Sequence, residues 1–262
     1  TLEEASTLTV VTNIDANTGN VTLVGTGTIT LAVGAIVTTG GAVSINSSTG
    51  GIVGNTDDNT ADITTTGGNI TLEANAGGIR GASGANALDI DAAASAVITL
   101  TVDGAGNADV DYAAAENVGL VFTASHTNTG DITFDSLATG TLTLNATATG
   151  AGNINILSDG VVTVAGAVAA TGGGVVLDAN GALSVTNGIN VTAGGTGEVL
   201  TINAAGITIG TGANTDETLK NTGSGTITLT SDAGSDITLN SFAITIGAGA
   251  LEVNASGSGD LI

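Results

Sequence analysis

The sequence predicts an all-β fold: a single right-handed parallel β-helix, a β-solenoid of about 10–11 coils with three short strands per coil and little or no helix. Three observations predict it. Short apolar-x-apolar triplets bounded by Gly, Asn, Asp and Ser recur along all 262 residues. Large core fillers are scarce, with Trp 0, Met 0, Tyr 1 and Phe 3 although 42% of residues are hydrophobic. A thin, repetitive core can be filled by stacked Val, Ile and Leu, whereas a globular one needs larger, irregular side chains. Pro is absent, as expected where each strand pairs on both edges.

The triplets set the period. Units of the form G-x-[VIL]-[TSN]-[LIF] include GNVTL at Val21, GAVSI at Val43, GNITL at Ile70, GDITF at Ile132 and GNINI at Ile154. GVVL at Val175, EVLTI at Leu200, GTITL at Ile227 and GALEV at Leu251 continue them. The spacing is 22 and 27 residues over the first three, then 22, 21, 25, 27 and 24 from Ile132 onward. Weaker units at Ile52, Ile63, Ile79 and Leu88 supply the other sides. Within a triplet the outer residues point inward and the middle one, often Thr, Ser or Asn, points out. Ile98, Leu120 and Leu142 form a second ladder out of phase with Ile132 and Ile154, as two sides of one prism would. Coils stacked at about 4.8 Å make a rod of roughly 50 Å.

The chain reads as one β-helix over residues 1–262, with 1–20 as an N-terminal cap or joining segment and 250–262 as an uncapped C-terminal coil. TLEEAS, Thr1 to Ser6, has the Thr1/Glu4 spacing of a capping box, which fits one helical turn over the first coil; a disordered terminus fits equally. Thr1 reads as a processed terminus or the start of a segment of a longer chain. The closing GSGDLI exposes an apolar cross-section, so more of the same chain or a second subunit is expected at the ends.

Charge excludes several partners. Twenty-four acids against two bases give −22, and Arg80 and Lys220 alone cannot neutralise a phosphate backbone, so no nucleic acid is expected. Anionic membrane surfaces are disfavoured for the same reason, and no apolar run suits membrane insertion. Without Cys there is no disulfide and no thiolate site.

The repeats resemble the β-helical shafts of filamentous-haemagglutinin-like bacterial surface adhesins and related large exoproteins. The similarity is greatest over GNINILSDGVVTVAGAVAATGGGVVLDANGALSVTNGINV, residues 152–191, and over residues 130–156 before it. It lies in pattern and composition. The resemblance implies a secreted, cell-surface segment serving adhesion, aggregation or biofilm formation, with surface glycans of host or neighbouring cells as partners. The family's secretion domain carries Asn-Pro-Asn motifs, which a chain without Pro lacks, so the resemblance is to shaft.

Carboxylates are the one functional group in quantity. They cluster at Asp57, Asp58 and Asp62, at Asp89 and Asp91, at Asp103, Asn107, Asp109 and Asp111, and at Asp232 and Asp236. The DGAGNADVD cluster best suits Ca²⁺, which takes several oxygen ligands, although it lacks EF-hand spacing. Asp103, Asn107, Asp109 and Asp111 are therefore the candidate calcium ligands, and calcium is the one cofactor considered. The plainer reading is that Asp favours turns and solvates the surface. Catalysis by paired acids, as in polysaccharide-degrading β-helices, lacks basic and aromatic partners: Arg80 stands alone, Lys220 is remote, and Tyr112 is the one Tyr. No enzyme is expected. His126 reads as a polar loop residue. A Thr ladder at Thr22, Ser44, Thr71, Thr133, Thr201 and Thr228 suggests ice binding only weakly, because Asn155, Val176 and Glu252 interrupt it. The expectation is an extracellular structural or adhesive shaft segment or filament subunit; a calcium- or carbohydrate-binding module is the alternative.

Overall fold

A computed structural model describes residues 1–32, 37–55, 60–82, 86–210, 218–232, 234–240, 243–256 and 259–262. Among them are 29 short strands and no helix. The strands stack in parallel as a β-solenoid of two long sheets, 14- and 15-stranded. Inward and outward residues alternate as the two-residue period requires: Ile132–Ser136 buries Ile132, Phe134 and Ser136, and leaves Thr133 and Asp135 half-buried.

The main unit series of the sequence crosses between the two sheets: Val21, Val43 and Ile70 stand in the first, in register with Ile98, whereas the units from Ile132 onward stand in the second. In the second sheet Ile132 lies over Ile154, then Val175, Leu200, Ile227 and Leu251. In the first, Leu120 lies over Leu142, Val162, Leu183, Ile207 and Ile237. Continuous rows of buried Val, Ile and Leu run up the inside of both.

Three strands per coil hold toward both ends of the rod, but the third side changes sheets on the way. In the N-terminal part it consists of Ile14–Asp15, Val37–Thr39, Ile63–Thr65 and Leu88–Ala92. This column joins the second sheet at Ala108–Tyr112, where Ala108 pairs with Ile79 while Val110 and Tyr112 pair with Leu88 and Ile90. In the C-terminal part Asn190–Ala193, Thr218–Asn221 and Ala243–Ile246 branch instead from the ten-residue strand Val161–Ala170 of the first sheet. A bulge between Leu144 and Ala146 puts Asn145 opposite the stretch 165–167, letting that strand bend around a corner. Between the two junctions each coil has two longer strands and is short: 22 residues separate Ile132 from Ile154, against 29 from Ile79 to Ala108. The flattened central core is filled by Phe122 and Phe134, stacked across the sheets at 4.1 Å and 14°.

The N-terminus corrects the helical reading. Leu2–Glu4 is a strand in register with Leu23, Val24 and Gly25. A ready-made parallel edge satisfies its backbone, which a single isolated helical turn could not match. Residues 1–20 contain three strands, one on each side of the first coil. At the other end Leu251–Ala255 is largely exposed, and Leu261 bridges Ile237 while Ile262 exchanges backbone hydrogen bonds with Ile237 and Leu239.

His126 is also corrected: it is fully buried, at the end of the strand Leu120–His126. Its Nε2–H donates to Gly106 O at 2.7 Å, and Nδ1 accepts from Asn128 N at 3.1 Å. Since Nδ1 is an acceptor, the proton sits on Nε2. Ser47, Thr65 and Asn221 do the same: each donates to a carbonyl of the preceding coil (Gly27, Gly41, Glu198) and accepts an N–H two or three residues on. Buried polar side chains thus clamp successive corners together.

Candidate functional site

The candidate calcium residues serve different purposes. Asn107 Oδ1 accepts the backbone N–H of Asp131 at 3.1 Å, Asp131 Oδ1 that of Asn153 at 2.7 Å, and Asn153 Oδ1 that of Gly174 at 2.8 Å. An Asx column therefore climbs one corner, each side chain capping the strand entry of the next coil. Glycine precedes each step because the corners nearly touch: a Cβ on Gly152 would collide with Gly130 O, and one on Gly173 with Gly152 O. Asp103, exposed in its turn, accepts from Thr127 Oγ1 at 2.8 Å. Asp109 and Asp111 share the outer face of Ala108–Tyr112, in register with Thr133 and Asp135. The four thus divide between a corner column, a turn and a strand face. Among the described residues, no three or more of His, Cys, Asp and Glu gather where a metal ion could be held.

Of the other clusters, Asp57 and Asp58 lie outside the described residues. Asp62 is buried and accepts from Asn55 N at 2.9 Å. Asp89 is buried in register with Asp111. Asp91 accepts from Tyr112 OH at 3.3 Å; that hydroxyl also donates to Ala92 O at 2.9 Å. Burial and the Asp91 carboxylate push the Tyr112 phenol well above its ordinary range. Asp236 Oδ1 caps Asp260 N at 3.0 Å.

Composition of the two sheets differs sharply. The outer face of the second sheet is acidic, with Asp111 and Asp135 in one register column above buried Asp89, interrupted by half-exposed Leu157 and resumed by Asp178. Around Leu157 lies an open groove of about 240 Å³ lined by Asp135, Asp159, Asp178 and Asn180. Asn180 donates to Asp159 at 2.6 Å. Desolvation, and then repulsion from Asp159, raise the Asp135 carboxyl above its ordinary value.

The first sheet presents the opposite. A hydroxyl column runs up it in register through Thr22, Ser44, Thr71, Thr99 and Thr123. One pleat aside it continues through Thr143, Thr163, Ser184, Thr208 and Thr238. From Val97 onward the described strands of this sheet contain no carboxylate, and Lys220 is their one charged residue. The Thr set read from the sequence mixed two faces. Thr22, Ser44 and Thr71 belong to this sheet, whereas Thr133, Thr201 and Thr228 lie on the second, where Asn155, Val176 and Glu252 do interrupt them. Sequence spacing alone could not separate the faces, because both sheets repeat with nearly the same period.

Arg80 lies on Ile79–Arg80 and donates Nη1 to Gly81 O at 3.1 Å. Lys220 lines a different groove with Asn190, Thr192, Thr218 and Thr245. No helix among the described residues is long and apolar enough to cross a membrane. No protein-family model, no curated protein and no solved structure matches this chain.

Proposed function

We propose that this chain is a non-enzymatic shaft: a stiff β-solenoid segment or filament subunit of a secreted bacterial surface protein, extended by another coil at each end. The observation that carries the reading is the uninterrupted stack: rows of buried Val, Ile and Leu run in register through two long parallel sheets, which makes a stiff repeat rod. Leu2 is 46% exposed and Leu8 only 8%, so the first coil is half covered; at the far end Leu251 is 41%, Leu261 58% and Ile262 65% exposed. The terminal strands Leu2–Glu4 and Leu8–Val10 each pair on one side, as does Leu251–Ala255. Stacked repeats gain stability from nearest-neighbour interfaces, so end-to-end docking of a second copy would cover these edges. The likeness to filamentous-haemagglutinin-type shafts supports a place at the cell surface, where a rigid spacer holds adhesive elements away from it.

Negative-stain microscopy of the purified chain tests the axial contact. Rods whose lengths are multiples of roughly 50 Å are expected. Discrete single rods under all conditions would rule out assembly through the ends.

A further inference from the structure

We infer that the carboxylate-free face of the first sheet is a lateral docking surface for a second copy of this chain, the two rods packing sheet on sheet. This goes beyond axial stacking and does not depend on it.

Charge selects the face. In a chain of −22, two copies meeting through the second sheet would oppose Asp109, Asp111, Asp135 and Asp178 with their equivalents, and like charges so placed are strongly disfavoured. Over the strands Val97–Val102, Leu120–His126, Thr141–Ala148 and Val161–Ala170 the first sheet offers only uncharged outward side chains (Val, Thr, Ser, Asn and Ala), with Val161 37% exposed. Period selects the partner. Outward rows recur at every coil, about 4.8 Å apart, and a surface that interlocks with them must repeat at that spacing. The same face of a second copy does so, with Thr and Val methyls filling the gaps between opposed rows.

Size suffices. From Val97–Val102 to Ile237–Leu239 the face spans roughly 30 Å along the rod, about 23 Å wide over the four long strands and about 10 Å over the three-residue strands after them, which gives roughly 600 Å² per partner, at the lower end of specific interfaces. A notch of about 190 Å³ at the bulge, lined by Thr143, Asn145 and Ala165, interrupts the otherwise uniform rows and fixes one register among those that row spacing would permit.

Sedimentation velocity with small-angle scattering on the intact chain tests the inference. A reversible dimer is expected, with an enlarged cross-section and a maximum dimension still near ~50 Å. Thr123→Asp with Thr163→Asp should raise the dimer Kd by about tenfold or more. Thr201→Asp with Thr228→Asp adds the same charge to the second sheet and should leave the Kd within about twofold. All four positions face outward, and an unchanged thermal transition shows that each variant folds. A chain that stays monomeric to about 100 µM overturns the inference. So does a dimer that both double variants weaken alike, or one that lengthens without broadening; the last supports axial stacking alone.

Discussion

His126 shows what a single side chain does in a solenoid corner. Replacing it with Ala leaves Gly106 O and Asn128 N–H without partners and opens a cavity. His126→Ala should therefore cost about 2–4 kcal/mol in urea unfolding, while Tyr112→Phe, which removes one hydroxyl donor, should cost about 1 kcal/mol. Asp135 acts in the other direction. Its carboxyl titrates higher in the folded rod than in the unfolded chain, so its charge subtracts from stability at neutral pH. That cost disappears as pH falls through the folded-state value toward the ordinary carboxylate value. Asp135→Asn should raise Tm at pH 7 by about 1–2 °C and make no difference in acid below that range, as scanning calorimetry would show. Neither role was legible in the sequence. A histidine in SHTNTG looks like loop, and only the coil stack brings Gly106 beneath it.

At the scale of the element, the inward rows were legible because a strand's period is two and Ile132/Phe134, Leu142/Leu144 and Ile154/Ile156 keep it without interruption. The glycine before each unit was legible as a turn, but its physical reason is interchain-like crowding between coils rather than a left-handed backbone. Gly152→Ala would drive a methyl into Gly130 O and should cost about 3 kcal/mol, whereas Gly188→Ala meets no neighbour and strains only its own positive φ of 76°, at about 1 kcal/mol. Chemical denaturation of the two variants checks the contrast. The change of the third side from one sheet to the other was not legible. It depends on which residue of a long strand meets which partner, and that follows from the bulge at Asn145 rather than from any triplet. The acid cluster from Asp103 to Asp111 looked like one site because its residues are adjacent in sequence. Asp109 and Asp111 share one strand face, whereas Asp103 stands in a turn and Asn107 in the corner column, where it caps Asp131 N.

For the molecule as a whole, the chemistry absent from the sequence becomes two properties of a rod: an acidic face and, from Val97 onward, a carboxylate-free hydroxylated one, joined by a core of stacked aliphatic rows. A structure of nearest-neighbour coils gains most where its ends are covered, because each terminal coil exchanges solvent for another coil's apolar cross-section. Joining two copies in tandem through a short flexible linker tests that claim most directly, by scattering together with thermal unfolding. One rod of roughly 100 Å with a single transition at higher temperature than the single chain is expected. Two independently oriented rods melting together at the single-chain temperature would contradict it.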